Sequence, residues 1–112
     1  MDKFLKQLAT NPNDVMFEQS MQIIDKHFDF HPVSFVNGDT HNQAGQNNGS
    51  CKIFAFAQLQ GLDESSTLAC FGQFYRDDVL NNPNGNDHAN IRNFIRHGWA
   101  GIRFDGIALT AK

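Results

Sequence analysis

Residues 37–61, NGDTHNQAGQNNGSCKIFAFAQLQG, join a polar, glycine-spaced stretch to the most apolar run of the chain, and their reading decides the fold. Asn37 to Ser50 reads as a loop, and a connection that long without periodic structure is uncommon in a compact domain unless it carries function or lacks order. From Ser50, an N-cap residue type, the spacing predicts a helix through Ile53, Phe54, Ala55, Phe56, Ala57 and Leu59, with Gly61 as the C-terminal stop. Apolar side chains lie all round this helix, which places it at the centre of the fold.

Working outward, Phe4, Leu5 and Leu8 share one face of a short helix ending near Thr10 and the Asn11-Pro12 breaker. A second helix is predicted from Asn13 or Asp14, with Asp14 and Glu18 early and Lys26 and His27 late, as the helix dipole favours. Phe17, Met21, Ile24 and Phe28 form its apolar row. The run FDFHPVSFVNG, 28–38, then reads as extended backbone closed by an Asn37-Gly38 turn.

Beyond Gly61, Asp63 is a cap for a helix carrying Leu68, Phe71, Gly72, Tyr75 and Val79, with Gly72 permitting a close helix contact. NNPNGN, 81–86, is a turn cluster. Asp87 is expected to cap a last helix in which Ile91, Phe94 and Ile95 face inward, while His88, Arg92 and Arg96 align at i, i+4, i+8 and Gly98 ends it. In the tail WAGIRFDGIAL, Ile102 and Phe104 alternate loosely, as in a short strand. The expected fold is mainly α, a single domain over residues 1–112 of about five helices. One short β-strand pair, between Phe28–Val36 and the Ile102 region, makes it α+β; a purely helical bundle is the alternative.

A chain of 112 residues suits one core, and eleven Phe against one Tyr and one Trp supply apolar area without polar atoms to satisfy. Nine basic and twelve acidic residues give a net charge of −3, which argues against nucleic acid and membrane partners. No apolar run reaches the roughly 20 residues that span a bilayer, and MDKFLKQLAT has no signal-peptide pattern. The chain therefore reads as soluble and cytosolic. Cys51 and Cys70 sit in apolar helical runs and are expected as reduced thiols. Without CxxC, HExxH or paired Cys/His spacing, neither a metal nor a cofactor is expected.

Three runs, GSCKIFAFAQLQGL from Gly49, TLACFGQFYRDDVL from Thr67 and HANIRNFIRHGWAGIRFDG from His88, resemble the HopJ type III effector family across nearly the whole chain. The resemblance implies a small bacterial protein whose family is named for effectors injected through a type III system. Residence is then the bacterial cytoplasm, with secretion into a host cell if the effector role carries over. A helix starting at Asp2 or Lys3 leaves no unfolded, Ser-rich leader of the kind that route uses. The resemblance carries no catalytic or binding residues with it.

Candidate sites come from the residues. Cys51, one position after the expected cap and beside Lys52, has the setting that favours thiolate, and His41, His88 or His97 could serve as its base. Packing at the start of the core helix is the competing role. His27 and His31 lie four apart, but Pro32 biases His31 to extended backbone, against a shared metal-binding face. His88, Arg92 and Arg96 could meet an anion at a helix start, or the arginines could pair with Asp77, Asp78 or Asp105 on the surface. Asn42, Gln43, Gln46, Asn47, Asn48 and Ser50 could offer amide and hydroxyl groups to a polar ligand. Trp99 is expected in the core. The leading expectation is a non-enzymatic binding or interaction protein, its partner an unknown protein or a small polar or anionic ligand. The alternative is a small enzyme or small-molecule-binding protein with a Cys-His site and a basic anion-binding row.

Overall fold

The computed structural model describes residues 1–112. Helix α1 spans Asp2–Thr10, a 3-10 turn covers Pro12–Asp14, and α2 spans Phe17–His27. Three short strands follow, β1 Phe28–Phe30, β2 Phe35–Asn37 and β3 Thr40–Asn42, before α3, Asn48–Gln60. The rest comprises α4 Glu64–Ala69, a π-helical segment Phe74–Val79, α5 Ala89–His97, a 3-10 turn Gly98–Gly101, β4 Ile102–Phe104 and β5 Leu109–Ala111. The Cα radius of gyration is 13.1 Å, the value of about 13 Å expected for one domain of this length. No helix is long and apolar enough to cross a membrane.

Helix α3 is the axis of the core because its two large aromatics point to different sides. Phe54 packs on Phe35, Phe71, Phe94 and Trp99 at ring-centroid distances of 6.2, 5.5, 5.0 and 6.4 Å. Phe56 meets Phe4 and Phe28, each at 6.0 Å, on the side of α1 and β1. Burial of each ring contributes about 1.5–3 kcal/mol and each tilted pair about 0.5–1.5 more. This explains the all-round apolar pattern read in the sequence. Gly61, at φ +65, ends the helix and its N–H bonds back to Gln58 O.

The fold is α+β rather than a helical bundle. Of the expected pairing between Phe28–Val36 and the Ile102 region, the part at β2 is present and antiparallel, Phe35 opposite Phe104 and Asn37 opposite Ile102. Phe28–Val36, however, is not one strand. Phe28–Phe30 leaves across Pro32 and pairs with β5 instead, Phe28 opposite Ala111. The polar stretch after Asn37 also contains a strand, β3, which folds back on β2 through the Gly38-Asp39 turn with Phe35 opposite Asn42. Thr40-His41-Asn42 lacks the apolar alternation that marks a strand, because its inward residue is an asparagine.

Helical expectations also shift: α3 opens from Asn47 rather than Ser50, and α5 from His88 rather than Asp87. Helix α2 begins at Phe17 rather than near Asn13, because Pro12–Asp14 closes its own turn and Met16 is extended. The predicted helix through Leu68 and Val79 breaks at Gly72, where φ is +60. A Cβ there would lie 2.4 Å from Phe17 N and 2.8 Å from the Met16 carbonyl carbon. The neighbouring Gln73 side chain accepts the Phe17 N–H at 3.0 Å and so caps α2 from another element. Ile95, expected inward, is 47% exposed. Gly72→Ala is expected to lower the unfolding free energy by about 2–4 kcal/mol, since strain at positive φ adds to a backbone clash. Urea denaturation measures it, and a loss below about 0.5 kcal/mol would show that this contact is soft.

Candidate functional site

Buried amides tie the sheet to the starts of two helices. Asn42 Nδ2 donates to Asn90 Oδ1 at 3.1 Å and Asn90 Nδ2 returns a bond to Asn42 Oδ1 at 2.9 Å. Asn37 Nδ2 adds bonds to Asn90 O and Oδ1 at 2.8 and 3.0 Å. Asn93 donates to Asn37 O and to the Thr40 hydroxyl. Asn47 Nδ2 reaches Asn42 Oδ1 at 2.7 Å. Asn37 and Asn42 are fully buried, so each bond replaces water that folding removed. The Asn37 Oδ1 is left without a partner.

Two unusual residues lie beside this network. Asn47 and His88 are the non-glycine positions with positive φ, +53 and +52, and each immediately precedes a helix, α3 and α5. Neither helix start has a side-chain cap. The intrahelical bonds of α3 and α5 begin with Cys51 N to Asn47 O and Arg92 N to His88 O, so the first-turn N–H groups of Asn48 to Ser50 and Ala89 to Ile91 lie ahead of that ladder. Both starts border one cavity of about 340 Å³.

The cavity has two kinds of wall. Phe17, Phe71 and Phe74 form an aromatic side, and Thr40, Asn47, Ser50 and His88 a polar one. Gly49 lies against the aromatic side so closely that a Cβ would come within 2.7 Å of Phe17 Cζ. The His88 ring stacks on Phe74 at 5.2 Å and 27°, while its Nε2 meets Asp78 Oδ2 at 2.9 Å. Only one face of the imidazole and its Nδ1 edge remain for other contacts. The arrangement offers an apolar surface, an imidazole and two positive helix ends to a small molecule.

The sequence candidates are distributed unevenly around this cavity. Asn47, Ser50 and His88 line it. Asn48 is exposed at the first position of α3. Asn42 is buried and its side chain is taken up by Asn90 and Asn47, which removes it from ligand contact. His41 is exposed on β3, and exposed His97 has its Nε2 3.8 Å from Asp39. Arg92 and Arg96 do not join His88 but line a separate groove. Arg92 there bonds Asp87 Oδ1 at 2.6 Å, Asp87 O at 2.6 Å and Asn82 O at 2.8 Å, so its partner is Asp87 rather than Asp77, Asp78 or Asp105. The Arg92 guanidinium holds the Asp87 carboxyl below its usual range.

Cys51 occupies the opposite setting to the activated thiol expected from its place in the sequence. It is 1% exposed, its Sγ points to Val33 O at 4.0 Å, and burial raises its pKa. The helix starts at Asn48, so Cys51 lies a turn inside it, facing the core. Cys70 is held further from reactivity, pushed up to about 12 by burial against a smaller opposing effect of Ser20. Trp99 packs on Phe54 and Phe94 and donates its indole N–H to Leu62 O at 3.1 Å, as a core tryptophan does.

The aromatic wall and the Asp78 partner were not legible as site residues, since Phe17 and Phe71 read only as apolar helix positions and Phe74 fell outside that apolar row. The signal that was available lay in the residue types before the helices, asparagine and histidine, which tolerate the left-handed region.

Asn90→Ala is expected to cost about 1–3 kcal/mol in urea denaturation, because it removes the reciprocal side-chain partner of Asn42 and one of the two acceptors of Asn37 Nδ2; a near-neutral result would mean that water enters and satisfies them. For Cys70 the folded pKa of about 12 exceeds the ordinary 9.0. The unfolded chain therefore loses its proton first, and this contribution to stability is intact below pH 9 and falls between 9 and 12. The slope is about 1.4 kcal/mol per pH unit for one thiol. Cys70→Ala should flatten the stability profile above pH 9 relative to the parent, and parallel profiles would refute the assignment.

A solved structure described as that of the unknown-function protein VPA0580 is similar to this chain, with a TM-score of 0.99 and 55% identity over 100% of this chain and 93% of that one. No curated protein matches it. The family description that matches residues 1–109 is HopJ type III effector protein. The chain, whose glycine, histidine and aromatic landmarks build the cavity described above, therefore belongs to the HopJ type III effector family.

Proposed function

We propose that the protein is a non-enzymatic binding protein and that its site is the cavity between the starts of α3 and α5. The observation that carries this reading is the coincidence of both left-handed non-glycine residues, Asn47 and His88, at the rim of one cavity. Each conformation costs of order 1–3 kcal/mol, and such strain clusters where a site needs a fixed geometry. The ligand is small, with a planar or apolar body against Phe17, Phe71 and Phe74 and a polar or anionic group toward His88 and Ser50. Residence in the bacterial cytoplasm belongs to the same proposal, with secretion into a host cell only if the effector role of the family name carries over.

Binding rather than catalysis is favoured by the chemistry of the walls. The buried, raised Cys51 thiol lies outside the cavity lining, and no strongly ionised nucleophile replaces it. The His88 imidazole, its Nε2 bonded to Asp78 Oδ2, is held in one orientation at the cavity wall.

Benzoate and inorganic phosphate serve as probes of the two walls. Titration of the 15N-labelled protein with benzoate is expected to shift the amides of Asn48, Gly49, Ser50 and Ala89 saturably. Gly49→Ala, which crowds Phe17, should weaken that binding about tenfold, a loss of about 1.4 kcal/mol. If neither probe shifts these amides up to the concentration where bulk effects begin, the cavity is not a ligand site.

A further inference from the structure

A groove on another part of α5 carries features that neither the core nor the cavity uses. Ile95 and Leu80 are 47% and 52% exposed, although their neighbours Phe94 and Val79 are buried. Both line a groove of about 430 Å³ together with Val79, Pro83, Arg92 and Arg96. Isolated surface leucines and isoleucines are ordinary, but two in one concave feature beside a cation are a recognition surface.

The two arginines of the groove differ in state. Arg92 is spent on structure: its guanidinium clamps the 82–87 loop through Asp87 and Asn82, and its charge is met by the Asp87 carboxylate. The loop also packs closely there, since a Cβ on Gly85 would meet Arg92 Nη2 at 2.7 Å. This wall is therefore held in place before anything binds. Arg96, one turn further along α5, is exposed and takes part in none of the ion pairs. The groove thus presents apolar side chains with one uncompensated guanidinium among them.

We propose that this groove docks a short segment of a partner protein that presents a leucine- or phenylalanine-sized side chain next to a carboxylate. The apolar anchor covers Leu80 and Ile95 and removes them from water. The carboxylate meets the fork of Arg96, which suits a planar, two-oxygen acceptor better than a point anion. A basic segment of the same shape is disfavoured, because it sets a like charge against Arg96. The inference is independent of the cavity: the groove and the cavity share no lining residue.

The probes are two labelled peptides of identical apolar pattern, EELFEEL and KKLFKKL, followed by fluorescence anisotropy and by amide shifts of the 15N-labelled protein. The acidic peptide is expected to bind saturably, shifting Leu80, Ile95 and Arg96 amides while leaving Asn48 to Ser50 unmoved. The lysine peptide is expected not to bind. Arg96→Glu should weaken the acidic peptide at least about tenfold and admit the lysine peptide, and Ile95→Asp should abolish binding of the acidic peptide. Both substituted side chains are exposed, so unchanged melting temperatures are expected and are checked by circular dichroism. Absence of saturable binding, equal binding of the two peptides, or shifts confined to another face overturns the proposal. So does concentration-dependent self-association abolished by Ile95→Asp, which would make a second copy of this chain the occupant.

Discussion

The reciprocal amide pair of Asn42 and Asn90 is the constraint on which the arrangement of this molecule rests. It is the point where a three-residue strand, the start of a helix and the end of the polar connection are held together, with the Asn42 side chain removed from water. An apolar pair of the same volume could fill the space, but it could not fix the direction in which α5 begins. Amides demand particular partners at particular angles, so the network selects one docking of α5 on β2 and β3 among several that hydrophobic packing alone would allow. The left-handed His88 that opens α5 lies two residues before Asn90, and the left-handed Asn47 that opens α3 bonds Asn42 directly.

Around this polar centre the aromatics do the cohesive work. Phe54 touches four aromatic rings from four different parts of the chain, and Phe56 gathers α1 and β1 on another side. The division of labour is physical. Phenylalanine contributes area without directional demands, while the asparagines contribute direction with little area. A helix as short as α4, six residues, is held by both, through its Asp63 cap and through Leu68 and Ala69 in the core.

Much of this was legible in the residues. The central helix, its Gly61 stop, the Asp63 cap and the pairing of the Phe35 and Ile102 regions follow from apolar spacing and cap chemistry, which act within a few residues of sequence. What was not legible depends on partners distant in the chain. Gly72 looks like a helix residue until the backbone of Met16 and Phe17 is seen against it. Asn42 reads as a solvent-facing amide because nothing near it in sequence announces Asn90. Cys51 reads as activated only while the helix is started at Ser50; three further residues at Asn48–Ser50 turn its thiol into the core. The site was half visible for the same reason, since Asn47, Ser50 and His88 are polar and conspicuous, whereas Phe17, Phe71 and Phe74 announce nothing but burial.

The pairing of β1 with β5 has a kinetic side. It joins Phe28–Phe30 to Leu109–Ala111, and Lys112 N bonds His27 O just beyond it. The whole of α3, α4 and α5 lies in the loop that this pair closes, and closing a loop of that length costs chain entropy before any contact offsets it. Helices α3 and α5 can therefore consolidate around Phe54 first, with the terminal strand arriving last. In the native state the same order runs backwards: amide exchange along β5 should report the earliest partial opening of the molecule, while the Phe54 cluster reports the global one.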